Sequence, residues 1–152
     1  MGYKATVIGG SLNLRASTST SSARLAIIPN GATIDVKTIS GNTWRKAYYN
    51  NKLGYVMQAY LNENTSQRTY GVEACERYGE ALLQQGSTGP NVLTLQQDLR
   101  NAGLHGFNDN DGIFGSNTRD AVIDYQQMSN LSADGIVGID TKRSLYSSVV
   151  LG

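Results

Sequence analysis

One cysteine, one histidine and one tryptophan are all that this chain of 152 residues contains of those types, and each scarcity closes a class of function. Cys75 can form no internal disulfide and cannot build a cysteine-based metal site. Zinc amidase and zinc peptidase centres need several His, Asp, Glu or Cys ligands, and His105 has no such company. A Cys–His hydrolase would have to join Cys75, in a joint, to His105, in a helix-ending loop. Carboxylates are plentiful, yet no apolar pocket singles one out for the raised pKa of a glycosidase acid. The longest strongly apolar run, Leu25–Ile28, is far too short to span a bilayer. MGYKATVIGGS lacks the basic-then-apolar order of a signal peptide. The expectation is therefore no catalytic residue, no metal, no cofactor and no membrane span.

What is present divides into two kinds of sequence. Residues 1–65 carry seven basic and two acidic side chains, while residues 66–152 carry six basic and ten acidic ones, so a net charge of +1 hides two halves of opposite sign. In the first half, short runs of β-formers (TVI, LNLR, RLAII, TIDVKTI, TWRKAYY, LGYV) alternate with the turn clusters GGS, STSTSS, PNG, SGN and NNK. Five or six strands at this spacing predict a small barrel or sandwich. In the second half the period becomes helical. Gly89-Pro90 opens a helix carrying Val92, Leu95, Leu99 and Ala102, which Gly103 stops. A second helix is predicted over 116–129, with Thr118, Ala121, Val122, Tyr125 and Met128 on one face, and a third over 139–148 around Leu145. Between the halves, NENTSQ reads as a polar linker and VEACERYGEALL as a short helix.

An octet is written twice, as DGIFGSNT at 111–118 and DGIVGIDT at 134–141. Together with Gly86-x-x-Gly89 it supplies a Gly-x-x-Gly entry to each of three helices. The glycines let the backbone reverse closely, and Asp111 or Asp134 can bond the loop's own N–H groups. The octet is read mainly as a helix-entry device, with a twice-used binding loop as the competing reading. A calcium loop fits poorly: with Gly112 at the sixth position, the first and twelfth fall on Phe107 and Thr118, and the bidentate glutamate is missing.

Two stretches match known families. Leu12-Asn13-Leu14-Arg15, the Pro29-Asn30-Gly31 turn, Ile34–Val36, Trp44 and Gly54-Tyr55-Val56 resemble a bacterial SH3-like (SH3b) domain of cell-wall proteins; the STSTSS segment departs from it where the family often has proline. Leu83, Gly86, Gly89, Val92, Leu95-Gln96, Leu99, Gly103, both octets, Ala121-Val122 and Tyr125-Gln126 resemble the peptidoglycan-binding domain type 1; Ser116 and Ile139 stand where that family often has proline. The resemblance implies two domains: an N-terminal all-β SH3-like barrel over 1–65, a joint at 66–81, and a C-terminal all-α three-helix peptidoglycan-binding domain over 82–152. It implies a non-catalytic wall-targeting part of an endolysin or autolysin, cut from a longer protein or released by lysis and acting outside the cell. The partner is then peptidoglycan (glycan, stem peptide or cross-bridge), with anionic wall polymers drawn by the basic half, and no nucleic acid.

Sugar and peptide recognition asks for flat aromatic faces beside polar donors. In the first half Trp44, Tyr48, Tyr49, Tyr55 and Tyr60 offer faces, and Asn13, Arg15 and Asn51 offer donors. Tyr55, after Gly54 near a strand start, is the better platform; Trp44 stands between platform and core. In the second half Asn117, Arg119, Tyr125 and Gln126 are candidate contacts, although Tyr125 lies on the apolar helical face. Two alternatives stay open: a complete lytic hydrolase with an unrecognised active site, and a scaffold that binds protein through its SH3-like half.

Overall fold

The computed structural model describes all of Met1–Gly152. The chain divides into two compact units, Met1–Cys75 and Glu76–Gly152.

The first unit is one antiparallel sheet of seven strands: β1 (Gly2–Val7), β2 (Leu12–Arg15), β3 (Arg24–Ile28), β4 (Thr33–Thr38), β5 (Trp44–Tyr49), β6 (Lys52–Met57) and β7 (Leu61–Arg68). Their order is β3-β2-β6-β5-β4-β1-β7. β3 and β7 are therefore free edges, and the pairing does not close the barrel that the resemblance implied. Inward side chains alternate along the strands and meet in one cluster that includes Tyr3, Val7, Leu14, Ile28, Val36 and Val56. At one end of that cluster the buried Arg45 donates through Nε to Glu63 at 2.7 Å and to the Tyr3 hydroxyl at 3.1 Å. The β5–β6 hairpin turns on Asn50 and Asn51, at φ 49° and 63°, the left-handed pair that a two-residue hairpin requires. NENTSQ, expected as linker, is instead strand: β7 pairs with β1 from Leu61↔Val7 to Arg68↔Tyr3. A polar sequence suits an edge strand, because apolar edges invite pairing with other chains.

Four α-helices follow, where the resemblance implied three: α1 (Gly71–Tyr78), α2 (Pro90–Asn101), α3 (Ser116–Met128) and α4 (Ile139–Tyr146). The additional one is α1, the short helix expected in the joint, and the division between the units falls within it. Val92, Leu95, Leu99, Phe114, Val122, Tyr125 and Leu145 are buried in the second unit. Near its first residues the buried Asp98 accepts hydrogen bonds from Arg77 Nε, Arg77 Nη2 and the Tyr78 hydroxyl at 2.6–2.9 Å. Burial first, and this carboxylate second, push the Tyr78 hydroxyl well above its ordinary pKa. The buried Lys142 donates to the carbonyls of Gly79 and Ala81 at 2.7 and 2.6 Å.

The doubled octet is explained by two glutamines. Gln96 Nε2 donates to Asp111 Oδ1, Ile113 O and Thr118 Oγ1, while its Oε1 accepts from the Asp111 and Gly112 N–H groups. Gln126 repeats this on the second copy, donating to Asp134 Oδ1, Ile136 O and Thr141 Oγ1 and accepting from Gly135 N–H. Asp, Gly, Ile and Thr recur because one buried amide reads all four in each copy. Gly112 and Gly135 take φ 72° and 75°. A Cβ there would stand 3.1 Å from Gly89 O or 3.0 Å from Arg119 Cγ. Gly112→Val and Gly135→Val should each cost about 1–3 kcal/mol in thermal melts, since a β-branched residue is strained at positive φ. Unchanged melting with lost wall binding would make the octet a ligand loop instead.

Asp111 carries a pH dependence. The Ile113 N–H first, and the Gln96 amide second, hold its carboxyl below its ordinary 3.8. A depressed pKa stabilises the fold above the unfolded value, and that contribution is lost as pH falls through the folded one. This site's contribution should therefore fade as pH falls through the lowered value, and Asp111→Asn should remove its share of any acid sensitivity. An unchanged acid midpoint in helix-detected titrations of that variant would assign the sensitivity elsewhere.

Candidate functional site

Strand alternation builds one candidate face. In β2, Leu12 and Leu14 point inward while Asn13 and Arg15 are half-buried outside; in β5, Arg45 and Ala47 are inward and Trp44 and Lys46 outside; in β6, Val56 is inward and Tyr55 and Met57 outside. The register places Trp44 against Met57, and Tyr55 against both Lys46 and Arg15. Four predicted residues, Asn13, Arg15, Trp44 and Tyr55, thus share one outer face of three neighbouring strands. A groove of about 340 Å³ opens there, lined by Asn13, Arg15, Trp44, Met57, Tyr60 and the Thr20 loop. Tyr55 is on the face but not in the groove.

The STSTSS segment, where the family pattern has proline, shapes one wall. Ser22 Oγ donates to Ser19 O at 2.6 Å, and Ser21 N–H donates to Ser19 Oγ. The loop so folded presents Ser22 O to Arg15 Nη1 at 3.0 Å. No carboxylate pairs with Arg15. The three acidic residues of this unit are engaged elsewhere: Asp35 with Lys4, Glu63 with Arg45, and Glu73 with the Gly2 N–H.

The second unit has a larger groove, about 570 Å³, between residues 103–109 and α3. Asn117, Asp120 and Asp124 line it from one helical face, opposite His105, Phe107 and Asp109. Asn117 is the one predicted contact it contains. Arg119 is exposed, but its side chain lies beside Gly135 rather than in this groove.

Three predicted contacts are given other work by the fold. Tyr49 packs against the β core cluster. Tyr125 is 2% exposed, its hydroxyl 2.8 Å from Ser144 Oγ. Gln126 is 1% exposed, with its amide committed to the second octet. Asn51 is likewise a turn residue, its Oδ1 accepting from the Tyr48 hydroxyl. Reading α3 outward from Asn117 at steps of three and four would have found Asp120 and Asp124, and the β6 alternation from Tyr55 would have found Met57.

No three His, Cys, Asp or Glu side chains converge in a way that could hold a metal ion, and no helix is long and apolar enough to cross a membrane. Cys75 is buried and forms no disulfide.

Comparison with known proteins accounts for most of the chain. The bacterial SH3 domain model matches residues 10–62, and the peptidoglycan binding domain model matches residues 88–145. The chain carries a bacterial SH3 domain and, after it, a peptidoglycan binding domain. It is similar to the spore cortex-lytic enzyme of Bacillus cereus, 28% identical over 61% of this chain and 36% of that protein. It is also similar to the N-acetylmuramoyl-L-alanine amidase CwlM of Mycobacterium tuberculosis, 45% identical over 49% of this chain and 19% of that protein. Among solved structures, the N-terminal domain of SleB is 32% identical over 45% of this chain and 92% of that domain, with a TM-score of 0.43. The chain thus spans little more than a third of the first of these curated relatives and less of the second.

Proposed function

We propose that this chain is a non-catalytic binding unit for the bacterial cell wall, the targeting portion of a lytic enzyme of the endolysin or autolysin kind. The observation that carries the reading is the peptidoglycan binding domain over 88–145, preceded by a bacterial SH3 domain over 10–62. The relatives named as lytic enzymes extend far beyond the matched stretch, so their names assign no chemistry to these residues. Two candidate contact areas support the reading: the outer β face with Asn13, Arg15, Trp44 and Tyr55, and the α3 groove with Asn117. Arg119 flanks the second octet as a further contact. Each area alone binds weakly, and tethering them raises the effective concentration of the second site on a repetitive polymer. The basic first domain adds attraction to anionic wall polymers, which salt should weaken. Action at the outer side of the cell follows from the ligand.

Purified sacculi test the proposal. The chain should pellet with them, before and after removal of teichoic acids, without a fall in turbidity or release of reducing ends. Released product would make the chain a complete hydrolase. A chain that stays in the supernatant would leave the protein-binding scaffold as the reading.

A further inference from the structure

Arg15 is a cation without a counter-charge. Its guanidinium uses one donor on Ser22 O at 3.0 Å, which fixes the side chain and leaves most of its five N–H groups to spare. The groove that it lines contains no carboxylate. The surrounding unit carries eight basic against three acidic side chains over residues 1–75, and all three acids are engaged away from Arg15. Beside the guanidinium lie the Asn13 amide and an apolar wall of Trp44, Met57 and Tyr60, of which Tyr60 is 48% exposed.

We infer that this groove receives the free terminal carboxylate of a short peptide ending in a small apolar residue. The inference rests on the wall-binding reading and names the part of the wall that the first domain takes. A planar guanidinium meets a carboxylate with two parallel hydrogen bonds, a geometry that a lysine cannot offer. The Trp44 and Met57 surfaces suit a methyl-sized side chain next to that carboxylate, and Asn13 can meet the preceding peptide group. A polyol phosphate would also satisfy Arg15, but it has no apolar group for the wall. The complementary ligand is therefore an uncross-linked peptide end rather than a phosphate polymer.

Trp44 is the only tryptophan, so its fluorescence reports occupancy in the full chain. The probes are diacetyl-Lys-D-Ala-D-Ala, the same peptide as its C-terminal amide, and glycerol phosphate. The acid should bind roughly tenfold to a hundredfold more tightly than the amide, as for loss of a charge-assisted hydrogen bond, and should shift the Arg15 Nε resonance. Arg15→Gln should bind acid and amide alike, and Arg15→Lys should recover only part of the preference. Equal binding of acid and amide by the parent chain, the same preference in Arg15→Gln, or glycerol phosphate binding as tightly as the acid would each overturn the inference. If Arg15→Gln does not fold, the parent's acid-to-amide ratio and the Arg15 resonance decide. Sacculus pelleting without an acid preference would sink this inference alone, whereas no pelleting would sink the wider reading.

Discussion

Gln126→Leu lowers the stability of the helical domain by about 3–4 kcal/mol, and Gln96→Leu does the same through the first octet. Each amide is buried and makes hydrogen bonds to a carboxylate, a backbone carbonyl, a threonine hydroxyl and at least one loop N–H. A net hydrogen bond contributes only about 1 kcal/mol, but leucine would leave several buried partners without one, and each costs about 1–3 kcal/mol to orphan. Gln126→Glu should be no remedy, since it aims a carboxylate at Asp134 Oδ1 and the Ile136 carbonyl. The measurement uses two signals. Trp44 fluorescence follows the β domain and the far-ultraviolet helix signal follows the second. The helix transition should fall while the Trp44 transition holds. A matching fall in both would show that the units melt as one; wild-type melting would show the staples to be dispensable.

Trp44→Ala weakens binding to sacculi roughly tenfold to a hundredfold, the usual consequence of removing an aromatic anchor worth about 1–3 kcal/mol. The fold should survive, because Trp44 is half-buried at the start of β5 and is not among the core cluster. A core tryptophan would instead cost about 3–5 kcal/mol of stability on truncation. Tyr55→Ala should have the smaller effect on binding, since Tyr55 shares the face without lining the groove. Melts beside a sacculus isotherm separate the outcomes. An unfolded Trp44→Ala protein would place the side chain in the core, and a folded protein with parental affinity would remove it from the interface.

Much of the architecture is legible because local rules agree with the global fold. Gly89 before Pro90 starts α2, Gly103 at φ 117° follows its end, and Asn130 at φ 57° follows α3, as left-handed residues after a helix do. β7 was not legible: an edge strand exposes most of its side chains, so LNENTSQR has the polarity of a linker and owes its conformation to β1. The openness of the sheet was hidden for a related reason, since strand spacing counts strands without saying whether the first and last meet. Gln126, a candidate contact by sequence, is turned inward by the fold and bonded to the second octet. Its spacing held the correction: 118, 122, 125 and 126 lie on one face, as 92, 95, 96 and 99 do in α2, and both glutamines face inward. Arg15 and Trp44 could be nominated from residue type alone, but the register that unites them with Met57 is tertiary. The acidic residues of the α3 groove carry no motif, and their convergence depends on the 103–109 loop folding back toward the helix.

Backbone amide and tryptophan side-chain resonances of the full chain, followed while soluble peptidoglycan fragments are added, test the central claim most directly. Saturable shifts should gather in two clusters, one around Asn13, Arg15, Trp44 and Met57, the other around His105, Asn117 and Asp120. The buried Gln96, Tyr125 and Gln126 should move little. Shifts confined to other surfaces, or none at fragment concentrations that saturate a wall-binding control, would contradict the account.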